Sequence, residues 1–261
     1  MKIVVCVKQV PDTNEVRIDP VTGTLIREGI PSIMNPDDKN ALEEALRLKD
    51  EIGAHVTVLT MGPPQAEAIL REAVAMGADD MVLLTDRAFA GADTWATSLA
   101  LSATCKNIGY DVIFAGRQAI DGDTAQVGPE IAERLDIPQV TYVEKVEVEA
   151  NGKELKVRRA LEDGYETIKI GLPCLLTCIK ELNQPRYMNM AGIFSCYNKE
   201  VKTMTAANLD VDPKQLGLSG SPTKVKKSFT NGPKAQGEKI DMPPAEAASF
   251  VTNKLKEKHI I

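Results

Sequence analysis

Short runs of consecutive apolar residues alternate, along the first half of the chain, with stretches whose apolar positions recur every three to four residues. Lys2 to Val10 is an apolar run of the buried-strand type, and Asp19-Pro20-Val21-Thr22-Gly23 reads as the turn of a small hairpin. Asn35-Pro36 opens a helix, because asparagine suits the cap and proline the first helical position, and Ala41, Leu42, Ala45, Leu46 and Leu48 form its apolar face. His55 to Met61 is the next strand. Gly62-Pro63-Pro64 then turns into a helix carrying Ala68, Ile69, Ala73, Val74 and Met76, which Gly77 ends. Met81 to Leu84, Asp93 to Ile108 and Asp111 to Ala115 continue as strand, helix and strand. This alternation predicts an α/β fold, a parallel sheet flanked by helices. Ligands gather in such folds at the carboxyl ends of the strands, where Cys6, Met61 and Gly116 would lie.

Beyond Pro138 the pattern changes. Gln139 to Ile179 is strand-like, with turn signals at Asn151-Gly152 and Glu162-Asp163-Gly164, and Thr167 to Cys178 is expected to complete an antiparallel meander packed beside the main sheet. After Tyr197 the apolar density falls, and Pro213, Gly217, Gly220, Pro222, Gly232 and Pro233 accompany Lys224, Lys226, Lys227 and Lys234, which is the composition of an extended arm. Pro243 to Lys256 predicts one terminal helix with Ala247, Phe250, Val251 and Leu255 on its apolar face, and so short a helix needs something to pack against. The expected organisation is an α/β domain over residues 1–198, including the antiparallel strands, and a C-terminal arm over 199–261.

Composition narrows the chemistry. With 31 basic and 37 acidic residues the net charge is −6, which argues against a general nucleic-acid binder. No apolar stretch reaches membrane-spanning length, so no membrane insertion is expected. The start MKIVVCVKQV runs directly into a strand without a cleavage site, which suggests the cytoplasm. Cys6, Cys105, Cys174, Cys178 and Cys196 contain no CxxC pair, so neither a disulfide framework nor a metal cradle is indicated. With only His55 and His259 available, no His-based triad or metal cluster can be assembled, and no side chain reads as an acid-base catalyst. Carboxylate pairs such as Glu43-Glu44 and Asp79-Asp80 read as solvated positions. Neither a glycine-lysine phosphate loop nor GxGxxG is present, so any nucleotide site is of another design and any chemistry is a cofactor's.

The stretch GRQAIDGDTAQVG, Gly116 to Gly128, follows the apolar run Val112-Ile113-Phe114-Ala115 and leads into the helical spacing of Pro129 to Leu135. Gly116 and Gly122 permit tight turns, and Asp121, Asp123 and Thr124 are turn and capping residues. Backbone N–H groups from about Thr124 to Val127, at a helix start, would make a phosphate site. A well-capped, solvated connection has the same residue chemistry, and the two readings stand side by side.

Several distinctive pieces then occur in order along most of the chain. They are CVKQVPDT, MNPDD followed by ALEEALRLK, TMGPPQAEAILREAVAMGAD, GRQAIDGDTAQVG, and VRRALEDGYETIKIGLPCLLT with LNQPRY. Together they resemble the β subunit of electron transfer flavoprotein. The resemblance implies a domain of the adenine-nucleotide α-hydrolase-like type, a heterodimer with an α subunit, and a C-terminal arm packed on that partner. It implies nucleotide contacts from Cys6, from Asn35 and Asp38, from Met61, and from the loop residues Gly116, Arg117, Gln118, Asp121, Gly122, Asp123, Thr124, Ala125, Gln126 and Val127.

The stretch Ala90 to Ser98 resembles the ADTxATS pattern of electron-bifurcating members, in which Asp93, Thr94 and Thr97 approach the diphosphate and ribityl chain of an FAD; ordinary members hold AMP instead. The residues by themselves also fit an N-cap followed by surface threonines. The bifurcating resemblance implies NADH as electron donor, ferredoxin or flavodoxin as one acceptor, and an acyl-CoA dehydrogenase as the other, reached through the α-subunit FAD. Leu182 to Met190 resembles the family's recognition loop, with Met190 at the position of the apolar anchor that enters the dehydrogenase; a core methionine is the plainer reading. Two further readings stay open: a non-bifurcating subunit holding structural AMP, and a stand-alone adenine-nucleotide-binding module.

Overall fold

The computed structural model describes residues 1–12, 17, 18, 25, 26, 31–226, 237 and 239–261, excepting the side chains of 17, 18, 25 and 26. The first half runs β1 (Lys2–Cys6), β2 (Gln9–Pro11), β3 (Arg17–Ile18), β4 (Leu25–Ile26), β5 (Ser32–Met34), α1 (Pro36–Ile52), β6 (His55–Met61), α2 (Glu67–Met76), β7 (Asp80–Leu84), α3 (Thr94–Ile108) and β8 (Val112–Gly116). The second half runs α4 (Val127–Leu135), β9 (Gln139–Val148), β10 (Glu154–Leu161), β11 (Gly164–Gly171), β12 (Cys174–Cys178), α5 (Met190–Ser195), β13 (Lys202–Met204), α6 (Gly217–Gly220) and α7 (Pro244–Glu257). β3 pairs antiparallel with β4 as the sequence suggests, while the turn Asp19 to Gly23 lies outside the described residues.

Nine strands form one sheet in the order β11-β10-β9-β12-β8-β1-β6-β7-β13. From β9 through to β13 every neighbouring pair is parallel. The continuous apolar runs have a simple cause, since both faces of these strands are covered and each side chain must be apolar whichever way it points. Ile3, Val5, Val112, Phe114 and Leu176 face a core built with Leu42, Leu46, Ile69 and Leu70 of α1 and α2. Val4, Ile113 and Leu175 face the opposite core with Ala100 and Leu101 of α3 and Ile131 of α4. Gly53 ends α1 in the left-handed region at φ 69°, with its N–H on Lys49 O, which any side chain would disfavour.

The meander differs from its expected placement. β9, β10 and β11 extend the main sheet instead of packing beside it, and Cys174–Cys178 is no edge of that meander. It enters the sheet between β8 and β9, parallel to both. All five residues of β12 are buried. A short apolar run ending a meander and one filling a central slot have the same composition, so only the pairing separates them. β9 serves both neighbours through two irregularities, one at Glu144 against β10 and one across Thr141-Tyr142 against β12, where Tyr142 takes φ 56°. Ala68, expected on the inner face of α2, is exposed, and Leu70 is buried there instead.

Met1–Lys226 is one compact unit and Lys227–Ile261 another. Residues 199–226 of the expected arm thus lie in the first unit, where β13 pairs with β7 and Met204, Leu209 and Leu216 are buried in the α3 core. In the second unit α7 buries no residue; Ala247, Phe250 and Leu255 are half-buried and Val251 is exposed.

If β12 is an interior strand, Leu176→Ala should destabilise the unit by about 2 to 5 kcal/mol, whereas Ile168→Ala on the edge strand β11 should cost about 1. Urea midpoints of the two variants check this, and equal losses would move β12 out of the sheet's interior.

Candidate functional site

The strand order turns around between β1 and β8: the chain leaves β1 toward β6 and β7, then returns to build β8, β12 and β9 on the other side. Such a switch point opens a crevice at the carboxyl ends of the two strands. Here the first turn of α1 closes one wall of it. Asp38 is buried, and its Oδ2 accepts from Lys8 N at 2.8 Å while its Oδ1 accepts from Gly116 N at 2.9 Å, so one carboxyl joins the ends of β1 and β8. Gly116 is required by this approach: a Cβ there would lie 2.3 Å from Asp38 Oδ1 and 2.7 Å from Asp38 N. Burial pushes the Asp38 carboxyl up to about 7, against hydrogen bonds from Asn35, Lys8 and Gly116 that favour the carboxylate. Burial also raises neighbouring Asp37, opposed by the Arg117 guanidinium 3.6 Å away.

Asn35 stands at the cap position of α1 but does not cap it. Its side chain turns across the crevice, where Nδ2 donates to Gln118 O at 2.9 Å and Oδ1 accepts from Ile120 N at 3.1 Å. The loop from 116 to 127 is therefore pinned at its middle. Lys8 Nζ holds Asp121 at 2.6 Å, Gln118 Nε2 donates to Asp123 Oδ1 at 2.8 Å, and Gly122 N and Asp123 N both donate to Ala119 O. The left-handed residues of the loop are Asp123 (φ 51°) and Ala125 (φ 52°), not Gly122, which faces open space. Thr124 is exposed and precedes the helix: α4 begins at Val127, with Gln126 at its cap position and no side chain capping it. Arg117 lies over the Tyr142 ring at 5.6 Å. Cys6 ends β1 with its side chain in the α3 core together with Cys105, and half-buried Met61 ends β6.

A second wall comes from α3. Asp93 caps it by accepting from Ala96 N at 3.1 Å, and its other oxygen accepts from Thr223 N at 2.9 Å and Thr223 Oγ1 at 2.7 Å. Burial would raise this carboxyl, yet the bonds from Thr223 and Ala96 outweigh it and hold it below its ordinary value. Thr94 Oγ1 lies 3.0 Å from Gln126 Oε1 and 3.1 Å from Glu130 Oε1, which brings the start of α3 against the start of α4. Thr97 is half-buried one turn on. Sequence reasoning missed Lys8, Asp37, Glu130 and Thr223; only Glu130 carried a signal, standing one helical turn after Gln126.

The donor set suits a phosphate. Asp38, Asp93, Asp121 and Asp123 all accept hydrogen bonds from within the chain, and Asp37 faces Arg117. Of the two helix starts that meet here, α3 is capped by a carboxylate and α4 by no side chain, which leaves the first α4 amides open to an anion, with the Glu130 carboxylate in the same turn offsetting part of the dipole. Among the described residues no group of three histidines, cysteines or acids is placed to hold a metal, and no helix is long and apolar enough to cross a membrane.

Residues 22–209 match the model of the electron transfer flavoprotein domain. The whole chain is 69% identical, over 261 residues and the full length of both, to the electron transfer flavoprotein subunit beta of Clostridium acetobutylicum. This chain belongs to the electron transfer flavoprotein β-subunit family. It is also 57% identical over 264 residues to the caffeyl-CoA reductase-Etf complex subunit CarD of Acetobacterium woodii, and 50% identical over 270 residues to the acryloyl-CoA reductase electron transfer subunit gamma of Anaerotignum propionicum. Both matches span the full length of both chains. Electron transfer flavoproteins of this family bind flavin or AMP, and the two relatives are named for complexes with acyl-CoA reductases.

The segment Leu182–Met190 of this electron transfer flavoprotein β chain leaves the sheet after β12 and ends on α5. Tyr187 is 94% exposed, Met190 68%, Phe194 73% and Tyr197 74%, so the plainer reading of Met190 as a core residue is overturned. The expectation that Glu43 and Glu44 are solvated is overturned too: both are buried beneath this segment, bonded to Arg186 and to Asn183 and Arg47.

Asp38 supplies a signed pH prediction. The folded chain keeps its proton up to about pH 7, while the unfolded chain releases it near 3.8; between these values the folded state binds more protons, so this group's contribution to stability falls as pH rises. Asp38→Asn should abolish that fall, and should cost about 1 to 3 kcal/mol at the acidic end because its amide nitrogen meets a backbone N–H. Urea midpoints across the window measure both, and an unchanged pH slope would assign the titration elsewhere. Gly116→Ala should cost about 1 to 3 kcal/mol and lower nucleotide retention, since the first turn of α1 must move away; normal values of both would contradict the close approach.

Proposed function

We propose that this chain is the β subunit of an electron-bifurcating electron transfer flavoprotein. It would hold FAD in the crevice between the first turn of α1, the 116–127 loop and the start of α3. The supporting observation is the Thr94 hydroxyl set between Gln126 and Glu130, which makes the hydroxyl-bearing face of α3 continuous with the uncapped start of α4. In this reading a ligand held by both extends past the single phosphate of AMP. When bound, FAD supplies acceptance of a hydride from NADH and release of the two electrons singly, one to ferredoxin or flavodoxin and one through the α-subunit FAD to an acyl-CoA dehydrogenase.

In this reading the α4 amides face the diphosphate, Thr97 donates to a ribityl oxygen and Thr94 does so on turning away from Gln126 and Glu130, and Asn35 with Asp38 holds the loop closed around the nucleotide. None of these groups exchanges a proton with substrate; they bind, orient and set the local field. Of the expected arm, α7 packs on the α subunit, and the exposed Met190 anchors the dehydrogenase. The reading places the protein in the cytoplasm. One observation favours structural AMP instead: both carboxylate oxygens of Asp93 are already bonded within the chain, leaving it less to offer a longer ligand.

Replacing both hydroxyls, Thr94→Val with Thr97→Val, should lower the flavin retained by the purified heterodimer while lowering its melting temperature by only about 2 to 4 °C, as for one lost partly buried hydrogen bond. Full flavin retention would take the ligand away from α3. Met190→Ala should weaken docking by on the order of 1 to 3 kcal/mol, seen as slower dehydrogenase reduction at low partner concentration, with flavin content unchanged. A drop in thermal stability with unaffected docking would deny the anchor.

A further inference from the structure

The segment that carries the exposed anchor is itself attached at both ends. On one side is α1: Asn40 Nδ2 donates to Asn183 O at 2.8 Å and Asn183 Nδ2 returns a bond to Asn40 O at 3.0 Å. Nearly one turn further along, the enclosed Glu43 carboxylate accepts from Arg186 N at 3.0 Å, Arg186 Nε at 2.9 Å and Arg186 Nη2 at 2.9 Å, and Asp50 takes a second bond from Arg186 Nη2 at 2.9 Å. On the other side is α2. Asn189 reaches Ala75 O with its backbone and side-chain nitrogens, both at 3.4 Å, and caps α5 at Gly192 N with a 2.6 Å bond. Gly192 lies so close to α2 that a Cβ would sit 2.3 Å from Ala75 O. Between these attachments stand only Tyr187 and Met188, and Met190 follows immediately.

A surface connection does not require this. Bidentate contact between a planar guanidinium and an enclosed carboxylate fixes orientation as well as position, and Arg186 adds its backbone N–H to the same carboxylate. A loop ordered before its partner arrives loses less conformational freedom on docking. Resting on the docking reading above, we propose that Glu43 and Arg186, with Asn40 and Asn183, are positioning residues that hold Tyr187 to Met190 in the docking conformation in the free protein. The turn of α1 that precedes Asn40 carries Asp38, so the docking loop and the 116–127 loop are both referred to one helix.

The test uses the loaded heterodimer with Arg186→Gln, Met190→Ala and the double variant, following dehydrogenase reduction against dehydrogenase concentration. Arg186→Gln should raise the dehydrogenase KM about five- to tenfold without a matching fall in kcat, and should speed amide exchange from Tyr187 to Met190; the double variant should match Met190→Ala alone within about twofold. Arg186→Lys, which keeps the charge without the fork, should restore only part of the affinity. An unchanged KM in Arg186→Gln beside a raised one in Met190→Ala overturns the positioning role and leaves the docking reading standing. Unchanged KM in both overturns docking and positioning together. Multiplying effects in the double variant make Arg186 a direct contact, which also overturns positioning. Should Arg186→Gln fail to fold, the nearly isosteric Glu43→Gln is judged by the same outcomes.

Discussion

One buried carboxyl joins two strands at the place where the sheet changes direction. Lys8 and Gly116 leave β1 and β8 side by side, and their N–H groups need acceptors as the chain departs from the sheet. Asp38 provides both, from a helix whose first turn approaches so closely that only glycine fits at 116. The arrangement depends on excluding water, because a solvated aspartate would have no reason to hold both strands. The upward displacement of its pKa is the mark of that exclusion. Everything at the crevice follows from this fixed point. The 116–127 loop starts there, Asn35 pins its middle, and α4 presents its uncapped start to the same side.

An electron transfer flavoprotein subunit has to maintain two relations at once: a cofactor held in a fixed field and a partner docked at a fixed distance. In the proposed reading α1 serves both in its first two turns, Asn35 and Asp38 bonded toward the loop at the carboxyl ends of the strands, Asn40 and Glu43 toward the exposed segment. The packed interior beneath α1 makes it a rigid reference, since Leu42, Leu46 and Leu48 are fully buried.

The α/β layering was legible because buried parallel strands and amphipathic helices leave different periodicities, and the predicted strands and helices of the first half lie close to their observed bounds, apart from Lys2 to Val10, which divides into β1 and β2 of two different sheets, and the start of α2. What escaped was pairing and partner choice. The run Cys174 to Cys178 is equally apolar in an edge meander or a central slot, and only long-range contacts choose between them. Asn35 looks like a cap, yet a more demanding pair of backbone groups at Gln118 and Ile120 takes its amide. Gly122 signals conformational freedom, but the left-handed positions are Asp123 and Ala125, a reminder that glycine permits a turn without requiring it. Glu43 and Glu44 read as solvated because their partners lie about 140 residues away in sequence. Motif resemblance brought the loop and α3 into one list of candidates; the contact of Thr94 with Gln126 and Glu130 is what the chain sequence does not contain.

The crevice between α1, the 116–127 loop and α3 is the proposed seat of a flavin. Extraction and quantification of the nucleotides from purified wild-type heterodimer addresses it most directly. Two FAD and no AMP are expected for each heterodimer. One FAD accompanied by one AMP would contradict the proposal.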